Sequence, residues 1–447
     1  MLAHYRSRGR LARLIPLLVA IALIATLTAT TLASAHLTNL PGHTRWVGAW
    51  SASPQPPTAL TANGISKRGF RNQTLRLIVH PHAGGSWLRL RLSNTFGDRT
   101  VTFGRVEVGR RQSGAALVAG SNHSVTFGGR RSVMIPIGAE ALSDPVPLQV
   151  KAEQDLAVSL FVPDQTGPAT WHWDARQTNY ISTAGNHTGD VGGTAFTTMV
   201  TSWFFLDDVD VRPAAATGAV VTLGDSITDG AASTIDANHR WPDFLARRLL
   251  SLPASRQESV LNEGISGNRV LHDSPCFGVN ALARLDRDVL AQTGVRQVIL
   301  LEGINDIGFS NVTPSHSPPG ISFQCFVPNT NVTAAQIIAG YQQIIAQVHA
   351  KGLRIIGGTL TPFKGAFYYS VAGEAKRQAV NHWIRTSGAF DGVIDFDRAV
   401  RDPADPLMFL PQYDSGDHLH PNDAGYQAMA NAVNLRLLQD SEAPAAA

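Results

Sequence analysis

The stretch Leu223-Gly224-Asp225-Ser226-Ile227-Thr228-Asp229-Gly230 decides how this chain is read. Residues 219–223 are small and apolar, and they predict a strand buried on both faces. The apolar run stops at Gly224, so Asp225 and Ser226 fall at the strand's C-terminal tip. In open α/β sheets ligands are met at that tip. Three more blocks follow in order along the chain: Gly264-Ile265-Ser266-Gly267, Gly303-Ile304-Asn305-Asp306 and Asp417-His418-Leu419-His420-Pro421.

Working outward, predicted strands at 219–223, 259–262, 297–301, 354–358 and 392–395 alternate with predicted helices at 240–250, 281–290, 333–350, 372–386 and 422–438. Repeated β-α units imply a parallel sheet covered on both faces. Thr333 and Gln336 are spaced as a capping box for the third helix, and Gly352 is placed to end it. Upstream the period changes. Residues 74–79 (TLRLIV) and 87–92 (WLRLRL) alternate, and short strands are expected at 101–108, 132–135, 156–162 and 200–206. With turn residues between them, they predict an antiparallel sandwich or barrel. The small, Pro-containing segment 212–218 reads as a linker. The expected division is a β-sandwich-like accessory domain at 46–211, the linker at 212–218, and an α/β domain at 219–440. A lead-in at 36–45 and a tail at 441–447 complete it.

The four blocks carry complementary chemistry. A serine hydroxyl is a weak nucleophile unless a base adjoins it. His420 is the candidate base for Ser226, and Asp417, three residues earlier, is placed to hold its tautomer. A bland explanation exists for each piece: Ser226 as a helix N-cap, Gly267 as a turn glycine, Asn305 as an Asx turn. His418 and His420 also form a His-x-His pair, but no further ligand follows at metal spacing. The order and joint presence of the blocks favour catalysis over these separate roles.

Together the blocks resemble the GDSL/SGNH hydrolase family over roughly residues 217–440, about half the chain. The first block departs from the family name by reading GDSIT. The resemblance implies a flavodoxin-like three-layer α/β/α domain with a five-stranded parallel sheet in the order 2-1-3-4-5. It implies a serine esterase with Ser226, Asp417 and His420 catalytic. It also implies an oxyanion hole from the N–H of Ser226, the N–H of Gly267 and the side-chain amide of Asn305. The family includes esterases, lipases, thioesterases and carbohydrate acetylesterases. No metal or organic cofactor is expected. The Ser-Asp-His order is shared with α/β-hydrolases, but the G-x-S-x-G elbow of that fold is missing. Asp229, Arg240, Trp241, Asn268 and Arg269 are candidates to line or support the site, with packing the expected role of Arg240 and Trp241. Asp306 is placed to orient the loop that carries Asn305. A histidine base predicts that activity falls on the acid side, below roughly pH 6 to 7.

The N-terminus speaks to location. Arg6, Arg8, Arg10 and Arg13 precede an apolar run over 14–32, and Ala33-Ser34-Ala35 offers a cleavage site. The pattern predicts a signal peptide at 1–35 and a secreted protein, with a retained membrane anchor as the alternative. The 447-residue chain has 37 Lys+Arg, 34 Asp+Glu and a net charge of +3. Removing four arginines and no acids leaves 33 against 34, a net charge of −1. The basic balance therefore belongs to the leader and does not argue for a nucleic-acid partner. After cleavage no stable membrane insertion is expected. In an oxidising compartment the only two cysteines, Cys276 and Cys325, are expected to bond and staple loops at the catalytic edge.

Secretion and an attached β domain favour short-chain or acetyl esters of carbohydrates, such as acetylated polysaccharide, as substrate. The alternative is a lipase or phospholipase with a lid near 309–329, where Phe309, Ile321, Phe323, Phe326 and Val327 cluster. Trp46, Trp50, Trp87, Trp171, Trp173 and Trp203 lie before the linker. Most are expected in the core, and Trp171 and Trp173 are the candidates for a sugar-stacking surface.

Overall fold

The protein is described by a computed structural model over residues 45–58, 64–215 and 217–439. The expected signal peptide, nearly all of the lead-in and the C-terminal tail lie outside the described residues. No helix among the described residues is long and apolar enough to cross a membrane.

Five parallel strands organise the C-terminal half: β1 (Gly218–Gly224), β2 (Glu258–Gly264), β3 (Val295–Leu301), β4 (Arg354–Gly358) and β5 (Gly392–Ile394). Their spatial order is β2-β1-β3-β4-β5, all parallel, as the resemblance implied. Every residue of β1 is buried, which explains its unbroken apolar composition. Helices at Trp241–Leu250, Ala334–Ala350, Val371–Thr386 and Asp423–Ala432 connect and cover the strands. The Thr333–Gln336 capping box forms, with the Gln336 N–H donating to Thr333 Oγ1 at 3.2 Å and the Thr333 N–H donating to Gln336 Oε1 at 2.8 Å. Two expected helices are shorter than their periodicity. The one at 281–290 is α-helical only over Ala281–Leu285 and continues as a π turn. The last stops at Ala432, because Val433 is extended, and one further turn forms at Arg436–Gln439.

Apart from one helical turn at Ile65–Arg68, the regular elements described in the N-terminal half are β-strands. One antiparallel sheet orders Val47–Ser51, Leu206–Val211, Leu88–Ser93 and Glu140–Leu142. A second is built around Asn179–Ala184, Gln73–Val79, Leu156–Val162 and Arg105–Ser113. The strand Leu206–Val211 (LDDVDV) escapes pattern reading because aspartate is depleted from strands. Its acids have partners, however. Asp208 and Asp210 lie opposite Arg91 and Arg89 and pair with them at 3.0 and 2.8 Å. The basic positions of the 87–92 alternation are thus the cross-strand counter-ions of a buried acidic strand. Burial pushes Asp208 up to about 7, against the pull of Arg91.

Trp171 corrects an expectation. It is 1% exposed, and its Nε1–H donates to the Pro56 carbonyl at 2.9 Å. It therefore offers no surface. Trp50 and Trp203 are also buried and pack edge to face at 4.9 Å. Trp87 is the exposed one, at 37%.

The two halves share one hydrophobic cluster. Strand Val47–Ser51 packs against β2, the outer strand of the parallel sheet. Gly48 permits the approach, since a Cβ there would lie 2.7 Å from Leu261 Cδ1. His82 Nδ1 reaches the Val260 carbonyl at 2.7 Å. An otherwise open sheet edge is covered in this way.

Candidate active site

β1 delivers Ser226. Gly224 must be glycine, because a Cβ would lie 2.5 Å from the Leu301 carbonyl of neighbouring β3. Asp225 then caps a single helical turn, Ser226–Asp229, its carboxylate accepting the Ile227 N–H at 3.0 Å. Burial pushes Asp225 up to about 7. The turn places Ser226 Oγ 2.8 Å from His420 Nε2. His420 Nδ1 lies 2.6 Å from Asp417 Oδ2. Asp417 Oδ1 accepts the N–H groups of Leu419 at 2.9 Å and His420 at 2.8 Å. Burial alone would raise the Asp417 carboxyl. The hydrogen bond and charge of His420, with these backbone donors, instead hold it well below the usual carboxylate range. Asp417, His418 and His420 share one short loop, but His418 Nδ1 turns to Asp414 at 2.6 Å. Among the described residues no cluster of His, Cys, Asp or Glu is arranged to hold a metal ion.

Gly267 and Asn305 border the same cavity as Ser226 and His420. Gly267 has φ +80°, and a Cβ would lie 2.3 Å from the Phe277 ring. Both conditions select glycine. Asn305 is oriented from two sides. Tyr368 OH donates to its Oδ1 at 3.1 Å, and its Nδ2 donates to the Asn268 carbonyl at 2.9 Å. One amide hydrogen is left over. The N–H groups of Ser226 and Gly267 have no acceptor among the described residues.

Supporting residues tie the strand ends together. Asp306 accepts the N–H groups of Val270 at 2.7 Å and Leu271 at 3.1 Å, which fixes the loop behind Gly267. Burial nevertheless pushes Asp306 up to about 6. Asn268 donates to the carbonyls of Phe277 and Val279. Arg269 reaches the carbonyls of Val327 and Pro328. Asp229 joins the Ser226–Asp229 turn to Ser266. Arg240 and Trp241 are buried, Arg240 pairing with Asp243 at 3.1 Å. Fully buried Arg284 was not anticipated, since no motif marks it. It donates to the carbonyls of Gly224 and Glu263 and to Asn268 Oδ1, so one guanidinium braces β1, β2 and the second block.

The cavity measures about 560 Å³. Phe277, Phe309, Phe326, Phe367 and Tyr368 give it an aromatic wall. Trp173 and Asp174 reach it from the β-rich region. Burial pushes Asp174 up to about 6. Cys276 and Cys325 form a disulfide beside this wall, joining the loops after β2 and β3.

Residues 222–428 match the GDSL-like Lipase/Acylhydrolase family. This segment is a GDSL-like acylhydrolase domain. Its family is one of ester hydrolases. Solved structures similar to the GDSL domain include a GDSL-like lipase from Bacteroides thetaiotaomicron VPI-5482, at 18% identity over 49% of this chain and 87% of that one, TM-score 0.35. The native aryl esterase of M. smegmatis is 16% identical over 50% of this chain and 100% of that one, TM-score 0.38. A member of the lipolytic G-D-S-L family from Veillonella parvula DSM 2008 is 18% identical over 48% of this chain and 96% of that one, TM-score 0.32. No curated protein matches the chain.

Proposed function

We propose that this protein is an exported carboxylic-ester hydrolase in which Ser226 is the nucleophile, His420 the general base and Asp417 the residue that orients the base. The observation that carries this is the hydrogen-bonded line from Ser226 Oγ through His420 to Asp417, at 2.8 and 2.6 Å, beside an aromatic cavity. Ser226 Oγ bonds to the ester carbonyl carbon as His420 takes its proton. The oxyanion receives the N–H groups of Ser226 and Gly267 and the remaining amide hydrogen of Asn305. The alkoxide leaves with the proton from His420. Water then attacks the acyl-enzyme by the same route, releasing the acid and restoring Ser226.

For the substrate we propose a short-chain ester of a ring-bearing alcohol, with an acetylated sugar as the leading member. Ring faces on Trp173, Phe277 and Tyr368 and the Asp174 carboxylate support this. A lipase is the alternative, favoured by Pro318, Pro319 and Ile321 at the cavity. Its lid near 309–329 is tied down, however. Cys325 is bonded to Cys276, the Ser274 hydroxyl donates to the Cys325 carbonyl, and Phe309 and Phe326 are buried. Export rests on the arginine-led apolar segment ending at Ala35, and N-terminal sequencing of secreted protein is expected to begin at His36.

The decisive assay compares p-nitrophenyl acetate, butyrate and palmitate with wild type and Ser226→Ala. Cleavage of the short esters, reduced by about 10⁴-fold or more in the variant, is the expected result. Preference for palmitate would move the assignment to a lipase. Undiminished activity in Ser226→Ala would remove the nucleophile.

A further inference from the structure

His172 belongs to the β-rich region, on the short strand Trp171–His172, yet it contacts the turn that carries the nucleophile. Its Nε2 lies 2.9 Å from Asp229 Oδ1, and its Nδ1 lies 3.0 Å from the Ser53 carbonyl oxygen. Across the carboxylate, Asp229 Oδ2 accepts the Ser266 N–H at 2.8 Å and the Ser266 hydroxyl at 2.7 Å. Gly267 is the next residue. The nucleophile turn and the end of β2 also meet backbone to backbone, since a Cβ on Gly264 would lie 2.2 Å from the Asp229 nitrogen.

Both atoms facing the His172 ring are acceptors. A backbone carbonyl has no proton to give. The carboxylate, with two donors already on its other oxygen, serves as an acceptor as well. A neutral imidazole carries a single N–H, so one of the two contacts would set lone pair against lone pair. Only the doubly protonated ring satisfies both. Burial alone would favour the neutral ring, but the charge and hydrogen bond of Asp229 outweigh it and raise the proton affinity of His172. Asp174 adds a second negative charge nearby, facing Arg176 and Arg240.

We propose that His172 is a buried imidazolium that fixes Asp229, and that this pair is the positioning device for the Gly267 oxyanion donor. The inference rests on the esterase assignment above. It gives the β-rich region a part in catalysis, because that region supplies both the cation and the carbonyl that orients it. An oxyanion donor displaced by a fraction of an ångström loses its transition-state contact while substrate binding survives. His172 and Asp229 should therefore act on kcat.

The test has two arms, both on the full-length protein. In the first, ¹⁵N-histidine NMR, with His172 assigned by its loss in His172→Gln, reads the protonation of the ring at pH 8. Two protonated nitrogens are expected, and one unprotonated nitrogen would overturn the proposal. In the second, Asp229→Asn keeps the shape but removes the charge, which weakens both the bonds to Ser266 and the hold of His172 on the side chain. It is expected to lower kcat by about 10- to 100-fold with KM within about twofold and Tm close to wild type. His172→Gln is expected to match it. Wild-type kcat in Asp229→Asn overturns the proposal even if His172→Gln does not fold. Undiminished activity in Ser226→Ala would instead remove Ser226 as the nucleophile, on which the proposal rests, and leave the NMR result standing.

Discussion

At the scale of single residues, the proposed mechanism depends on three donors and one hydrogen-bonded line. Asn305 is oriented by Tyr368 and the Asn268 carbonyl. Asn305→Ala should cost about 100- to 1,000-fold in kcat with little change in KM, read by steady-state kinetics. Tyr368→Phe removes the hydroxyl that settles the amide's orientation and should give a smaller kcat loss, about tenfold, in the same assay. Gly267→Ala combines an unfavourable φ of +80° with a Cβ 2.3 Å from Phe277. Because Phe277 also packs against Trp173, Phe309 and Phe326, the ring has little room to yield. Loss of activity should exceed loss of thermal stability, which a paired kinetic and melting measurement would show. Ser226, His420 and Gly267, which the structure brings to one cavity, were legible in the sequence because the four blocks carry distinctive residue types at the ends of predicted strands. Tyr368 and Arg284 were not, because many residue types can precede a contact that only folding creates.

At the scale of elements, the disulfide lies beside the cavity wall, next to Phe277 and Phe326. Cys276 and Cys325 are 49 residues apart in sequence. Chain-entropy reasoning puts the bond's contribution at about 4 kcal/mol for a loop of that length. Cys276→Ser should lower Tm by several degrees and raise protease sensitivity at 309–329, monitored by calorimetry and limited proteolysis. If the segment is a fixed wall, the variant should lose activity on short esters. A rise in activity on palmitate would mean that the bond restrains a lid. The β-α alternation was readable because each parallel strand is buried on both faces and so reads as an apolar run. Helix ends were less readable. The last helix keeps its apolar period past Ala432, although Val433 has already turned to extended backbone.

For the whole molecule, polar contacts complete the seam between the β-rich region and the GDSL domain. His80 lies 2.7 Å from Asp155 and 3.3 Å from Glu153, and Glu153 pairs with Arg247 on the helix Trp241–Leu250 at 2.8 Å. Burial disfavours the His80 cation, but hydrogen bonds to Asp155 and Glu153 and the charges of Glu153 and Asp243 raise it to about 9. A raised histidine stabilises the fold fully below its unfolded value near 6.5 and loses that contribution as pH rises through about 9. The contribution is on the order of 3 kcal/mol. His80→Gln should therefore destabilise at pH 6 and much less at pH 10, measured by urea unfolding at each pH. Equal destabilisation at both would show that the ring's packing matters and its charge does not. The sequence by itself determined the parallel sheet, its strand order through the family resemblance, and the types of residue at the tips of its strands. Burial on both faces leaves few alternatives along the strands. Only the tertiary structure decided that Asp208 and Asp210 belong to a strand, that Trp171 is core, and that Trp173, Asp174 and His172 reach the GDSL domain. Those outcomes depend on partners far away in sequence: arginines across a sheet, a carbonyl over Trp171, and a carboxylate on the Ser226–Asp229 turn. Local pattern carries no information about which distant surface a residue will meet.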